Sequence, residues 1–164
     1  MKLLRSGLLV CFTLVLFSCN RQNALKFNNN IISLENALLP SVTTSQSKID
    51  GYIEAGNWDS LKAVSLRMEG LVNEAVVKLK DMKSPDLTGA EDFKKASLRY
   101  FEYFKGIYTG YANIASQTTD EDRNKAAEEF TSMITKKDDV LRSYQESQVR
   151  FTKANNVKLE QPKP

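Results

Sequence analysis

The chain reads as all-α: an up-down-up-down antiparallel four-helix bundle whose first helix is kinked or broken near Pro40. Three observations predict this. Apolar residues recur at alternating steps of three and four along four stretches, the spacing that gathers side chains on one helix face. Helix starts and stops separate those stretches, at Gly56-Asn57, Ser84-Pro85, Thr88-Gly89-Ala90-Glu91 and Thr118-Thr119-Asp120-Glu121. No run alternates with the period of two that a half-buried strand requires. Amphipathic helices joined by short loops pack antiparallel.

The segment before the first helix is a targeting signal. Lys2 and Arg5 precede an apolar run from Gly7 to Phe17. A spanning helix needs about 20 apolar residues, whereas a signal-peptide core has roughly 7–15. The run closes with Leu16-Phe17-Ser18-Cys19, Phe17 standing where a small residue is usual. This resembles the bacterial lipobox. The resemblance implies that residues 1–18 are a lipoprotein signal peptide, and that Cys19 takes diacylglycerol and acyl chains such as palmitate. Two or three chains at about 0.8 kcal/mol per buried CH₂ make attachment effectively permanent. Cys11 would leave with the leader, so the mature chain holds no free thiol. Asn20 follows the cysteine in place of the aspartate of inner-membrane retention, which favours the outer membrane of the cell envelope, in either leaflet.

Residues 19–23 read as a lipidated tether, 24–155 as the bundle and 156–164 as a tail. In the first helix Phe27, Ile31, Leu34, Leu38, Ile49, Tyr52 and Ile53 share a face from about Ala24 to Ala55. Pro40 and the poor helix formers Val42-Thr43-Thr44 interrupt it. The second helix carries Trp58, Leu61, Met68, Val72, Ala75, Leu79 and Met82, with Ser65 in the one missing place. The third places Phe93, Ala96, Tyr100, Phe104, Ile107, Tyr111 and Ile114 together. The last runs through Ala127, Phe130, Ile134, Leu141, Tyr144 and Phe151, with Lys137 and Gln148 snorkelling at the edge. An even number of helices returns both termini to one end, which therefore faces the membrane.

With the helices placed, several segments carry a resemblance: LKFNNNIISLENAL from Leu25, AVVKLKDM from Ala75, FKKASLRYFEYFKGIYTGY from Phe93 and FTKANNVKLE from Phe151. The chain is similar to a group of small helical surface lipoproteins of Bacteroidetes and spirochaetes. Phe27-Asn28 stands where those chains often have Tyr-Asn. The resemblance implies a helical fold and an envelope location, and no catalytic residue.

Composition narrows the chemistry. The 23 basic and 20 acidic residues fall to a net of +1 once Lys2 and Arg5 are removed, so there is no electrostatic case for nucleic acid. With no histidine, the commonest general base and zinc ligand are missing. Asp120-Glu121-Asp122 suits a helix start, and Glu128-Glu129 and Asp138-Asp139 split between faces. No cofactor, metal site or catalytic residue is expected. The candidate binding face is the aromatic third helix, where Phe101, Tyr103 or Tyr108 would line a groove. Gly106 and Gly110, four apart, allow close approach of something or merely weaken the helix. The leading expectation is a non-enzymatic, lipid-anchored module that binds an envelope protein, peptide or glycan. One alternative is an envelope hydrolase or metal-dependent enzyme using clustered carboxylates. Another is a purely structural or stress-related envelope component.

Overall fold

The computed structural model describes residues 3–158, with side-chain surroundings from Asn20 onward. The described chain is all-helical: α1 (Leu3–Glu54), α2 (Trp58–Asp81), α3 (Ala90–Ser116), α4 (Asp120–Ile134) and α5 (Lys137–Ala154). Helix α1 neighbours α2 and α5, while α3 neighbours α2, α4 and α5. So α1 and α3 face one another across the core, and α4 and α5 together fill the fourth place.

Helix α2 follows its sequence pattern, burying Leu61, Ser65, Met68, Val72, Ala75, Val76 and Leu79. Its cap is as expected, with Asn57 Oδ1 accepting from the Ser60 amide at 3.1 Å. Just before it, Gly56 takes φ 63°, a left-handed conformation that costs glycine nothing. That turn lets the Asn57 amide reach the Tyr52 carbonyl at 2.9 Å and close α1.

The expected break at Pro40 does not occur, and α1 is one unbroken helix. Pro40 and Asn36 are both exposed, so water can satisfy the Asn36 carbonyl that Pro40 cannot serve. Thr43 and Thr44 donate back to the Leu39 and Pro40 carbonyls at 3.0 and 2.9 Å. Residues 19–23, read as a tether, belong to the same helix. The side chain of Cys19 lies outside the described residues.

The fourth helix is two. Thr131 and Thr135 donate to the Ala127 and Ser132 carbonyls, both at 2.8 Å, a local alternative to the helical ladder. The Lys136 amide then bonds the Met133 carbonyl at 3.1 Å, a three-residue step that ends α4. Two starts also move by a residue. Thr88 makes no capping box: α3 starts from Gly89 without a side-chain cap, and Glu91 accepts from Ser84 at 2.8 Å. Helix α4 is capped by Thr119, not Thr118, through the Asp122 amide at 3.1 Å. At the chain's far end Asn156 takes φ 56°. The Val157 amide returns to the Thr152 carbonyl at 2.8 Å and the Val157 side chain is buried, so the segment read as a tail from residue 156 starts with a packed turn.

At one end of the bundle Phe27, Phe93 and Phe151 pack ring against ring, with centroids 5.4–6.1 Å apart. A hydrogen bond ties α5 to α1 there, from Gln148 Nε2 to Asn28 Oδ1 at 2.9 Å. We call this end the base. At the opposite, distal end Arg123 lies 4.2 Å from the Trp58 ring centroid and donates to the Gln117 carbonyl at 2.8 Å. These contacts draw the start of α4 towards α2 instead of α1. Among the described residues no helix is long and apolar enough to cross a membrane.

Candidate functional site: an aromatic cleft

The divided fourth helix determines where the bundle opens. Helix α5 packs on both α3 and α1, but α4 packs on α3. Two glycines let α4 sit close. A Cβ on Gly110 would lie 2.3 Å from the Phe130 ring, and one on Gly106 would lie 3.1 Å from Met133 Sδ. The close approach that these glycines permit is therefore that of α4 itself. Tyr111 completes the contact, its ring centroid 4.6 Å from that of Phe130.

On the other side of α3 a cleft of about 330 Å³ separates α1 from the α4–α5 junction. Its floor is α3, with Tyr100, Tyr103, Phe104, Ile107, Tyr108 and Tyr111. Val42 and Gln46 of α1 form one wall; Ile134, Lys137, Val140 and Leu141 form the other. A smaller hollow beside Glu35, Leu38 and Leu39 shares Val42, Tyr100 and Phe104 with the cleft, and so extends it towards the base. The lining is apolar in body and phenolic at its rim, a combination common at recognition surfaces.

The base-side end of the cleft is closed by one carboxylate. Tyr100 donates to Glu35 Oε1 at 3.0 Å and Tyr144 to Glu35 Oε2 at 3.5 Å. The two phenol rings stack with centroids 4.7 Å apart and planes 8° from parallel. Burial pushes both phenols above their ordinary pKa, and the negative charge and hydrogen bonds of Glu35 push the same way. Tyr103, Tyr108 and Tyr111 are also raised, chiefly by burial. Each therefore stays a neutral phenol near pH 7. Tyr103 spends its proton on the Ile134 carbonyl at 3.3 Å, holding the end of α4 to the floor.

Of the three side chains expected to line a groove, Tyr103 and Tyr108 border the cleft and Phe101 borders the smaller hollow that extends it. Tyr108 is nonetheless 2% exposed and forms the bottom of the cleft, while Phe101 is fully buried. The buried face of α3 is broader than the sequence reading. Phe93, Ala96 and Ile114 are buried as expected, Ser97, Phe101, Tyr108, Ala112 and Ala115 are buried beside them, and Tyr100, Phe104, Ile107 and Tyr111 are half-buried along the cleft. Small residues hid part of this face. Ser97 is buried because its hydroxyl donates to the Phe93 carbonyl at 2.7 Å, a bond the periodicity cannot reveal.

The walls were not foreseen. Glu35 had a signal, since it stands between Ile31 and Leu38 on the apolar face of α1. The α4–α5 wall depends on the helix break and had none beyond the interruption at Lys137. Among the described residues no three Asp, Glu or Cys side chains come together as a metal-binding group. Comparison of the chain with protein-family models, with curated proteins and with solved structures finds no match in any of the three.

Proposed function

We propose that this protein is a lipid-anchored helical module of the cell envelope, held at Cys19, that binds an envelope protein, peptide or glycan in the aromatic cleft. The observation that carries the reading is the cleft itself. Flat rings and phenol oxygens line a hollow of about 330 Å³ with Lys137 at its rim, the mixture that suits ligands with an apolar face and polar edges. The location rests on Leu16-Phe17-Ser18-Cys19 at the end of an apolar run, with the outer membrane favoured. Kinship with the small helical lipoproteins of Bacteroidetes and spirochaetes belongs to the same proposal.

The finer architecture is part of it. The helices run up-down-up-down. Pairs that move in opposite directions along α2 and α3 support this: Glu69 with Thr109, Asn73 with Lys105 and Lys80 with Glu102. So do Asn28 with Gln148 and Glu35 with Tyr144 between α1 and α5. Helix α1 bends at Pro40, whose ring crowds the preceding turn.

Two experiments test the reading. Fatty-acid labelling should mark the wild type and fail for Cys19→Ala; a labelled variant would remove the anchor. Affinity capture from solubilised envelope membranes should recover a partner with the wild type and with the distant exposed variant Leu66→Ser. It should lose that partner with Ile107→Trp, which fills the cleft. Equal capture by all three would place binding elsewhere.

A further inference from the structure

We infer that the base of the bundle is a docking surface for anionic lipid headgroups, and that it sets the molecule upright on the membrane that holds its anchor. The inference rests on the anchored reading above and adds a second, electrostatic contact. Residues 20–27, 78–95 and 150–158 meet at the base, brought together by the Phe27–Phe93–Phe151 packing and by Asn155 Nδ2 donating to the Thr88 carbonyl at 2.9 Å. These segments carry ten Lys and Arg against four Asp and Glu, a net of +6, with Lys80 and Arg150 ion-paired to Glu102 and Glu146 just outside them. From Cys19 to the end of the sequence the net is +1, so everything outside the base is net −5. Arg21, Lys26, Lys83, Lys95, Lys153 and Lys158 are all exposed. At the distal end Asp120, Glu121 and Asp122 point to solvent. An anionic surface attracts the base of this molecule more strongly than the rest of it.

The backbone fixes the distance. Helix α1 already includes Asn20, and Ala24 is fully buried in the core. At about 1.5 Å of rise per residue, the lipid-bearing position stands only ~8 Å from packed protein. That is within one Debye length at physiological salt, about 8 Å. Basic residues at the base therefore feel the surface potential whenever Cys19 is held at it, and no slack chain lets the bundle drift away. Leu25 is 42% exposed at this level and adds an apolar contact at the headgroup boundary. The cleft, from the level of Glu35 to that of Gln46, then lies roughly 17–33 Å above Ala24 by the same rise. It is held clear of the headgroups, where a partner can reach it.

The test uses the lipidated protein in liposomes, with single cysteines carrying spin labels at Thr88→Cys in the base and Ala55→Cys at the distal end. In vesicles containing anionic lipid the base label should collide with lipid-borne quencher and the distal label should not. Zwitterionic vesicles or high salt should weaken the base contact. The variant K83E/K95E/K153E should shift the docking equilibrium about fivefold for each basic residue removed, or more, since a basic residue near such a surface contributes ~1 kcal/mol. Circular dichroism of that variant should match the wild type, these side chains being exposed. Base contact that is indifferent to lipid charge, salt and the triple variant would overturn the inference. Failure of the anchor is distinguishable: protein would leave zwitterionic vesicles altogether, whereas failure of docking alone would leave it attached but unoriented.

Discussion

The base and the cleft are built from the same kinds of residue, aromatic rings and aliphatic side chains on facing helices, yet one is sealed and the other open. At the base, Phe93 and Phe151 are fully buried and Phe27 is nearly so, and α5 reaches both α3 and α1. Higher up, Tyr100, Phe104 and Ile107 stay half-buried because the fourth helix, parted at the α4–α5 junction, covers them only in part. The difference lies in where the fourth helix is pulled. Gly106 and Gly110 draw α4 onto α3, and Arg123 draws its start towards Trp58. Helix α4 buries only Ala126 among its residues, while α5 buries Tyr144, Ser147, Phe151 and Thr152. A bundle thus acquires a cleft without losing a helix, by tilting half of the fourth helix away from its neighbour α1.

The largest effect should come from breaking the sealed half. Phe93→Ala removes a fully buried ring and should cost about 3–5 kcal/mol in a denaturant titration. Phe130→Ala, at the half-buried contact between α4 and α3, should cost only about 1 kcal/mol. Equal losses would erase the distinction between the halves.

Next in size is the alkaline response of the seam between the halves. Tyr100 and Tyr144 share Glu35, and in the folded state both phenols have pKa values above the ordinary 10.0. The native state then holds protons that the unfolded chain releases, so their contribution is fully present below about pH 10 and is lost as pH climbs towards the folded values. Stability should fall above pH 10, with tyrosinate absorbance appearing together with unfolding. Glu35→Gln removes the negative charge, lowers both folded values towards the ordinary one and should make that fall smaller.

How much of this was legible in the sequence differs by helix. The buried face of α2 could be read from Leu61 to Leu79, all but Val76, because its seam is apolar at every place but Ser65; Trp58 and Met82 at its ends are half-buried. The α3 seam could not, since Ser97, Ala112 and Ala115 are small while the larger rings beside them face the cleft. Pro40 signalled a break that solvent exposure makes unnecessary. The split at Thr135 depends on hydroxyls bonding backward along the helix, and that choice is settled by tertiary packing more than by propensity. Of the cleft, the aromatic floor was visible as composition. Its walls were not, because they come from α1 and from a helix break distant in sequence.

A smaller effect should follow from loosening the distal clamp. Arg123→Ala removes the contact over Trp58 and the bond to the Gln117 carbonyl, and should cost about 1–2 kcal/mol. Trp58 fluorescence should report the loss directly. Smallest of all, Thr119→Ala deletes the α4 cap at about 1 kcal/mol. Either change should loosen α4 while the packing around Phe93 keeps its native near-ultraviolet signal.

The contrast between a sealed base and a lightly held α4 is tested most directly by native-state hydrogen exchange. Amides of α4 should exchange through a local opening at least about 2 kcal/mol less costly than global unfolding, while amides of α2 and α3 around Leu79 and Phe101 exchange only when the whole bundle unfolds. Protection in α4 equal to that in α2 and α3 would mean that the fourth helix is bound as firmly above as below, and the account of the cleft would fail.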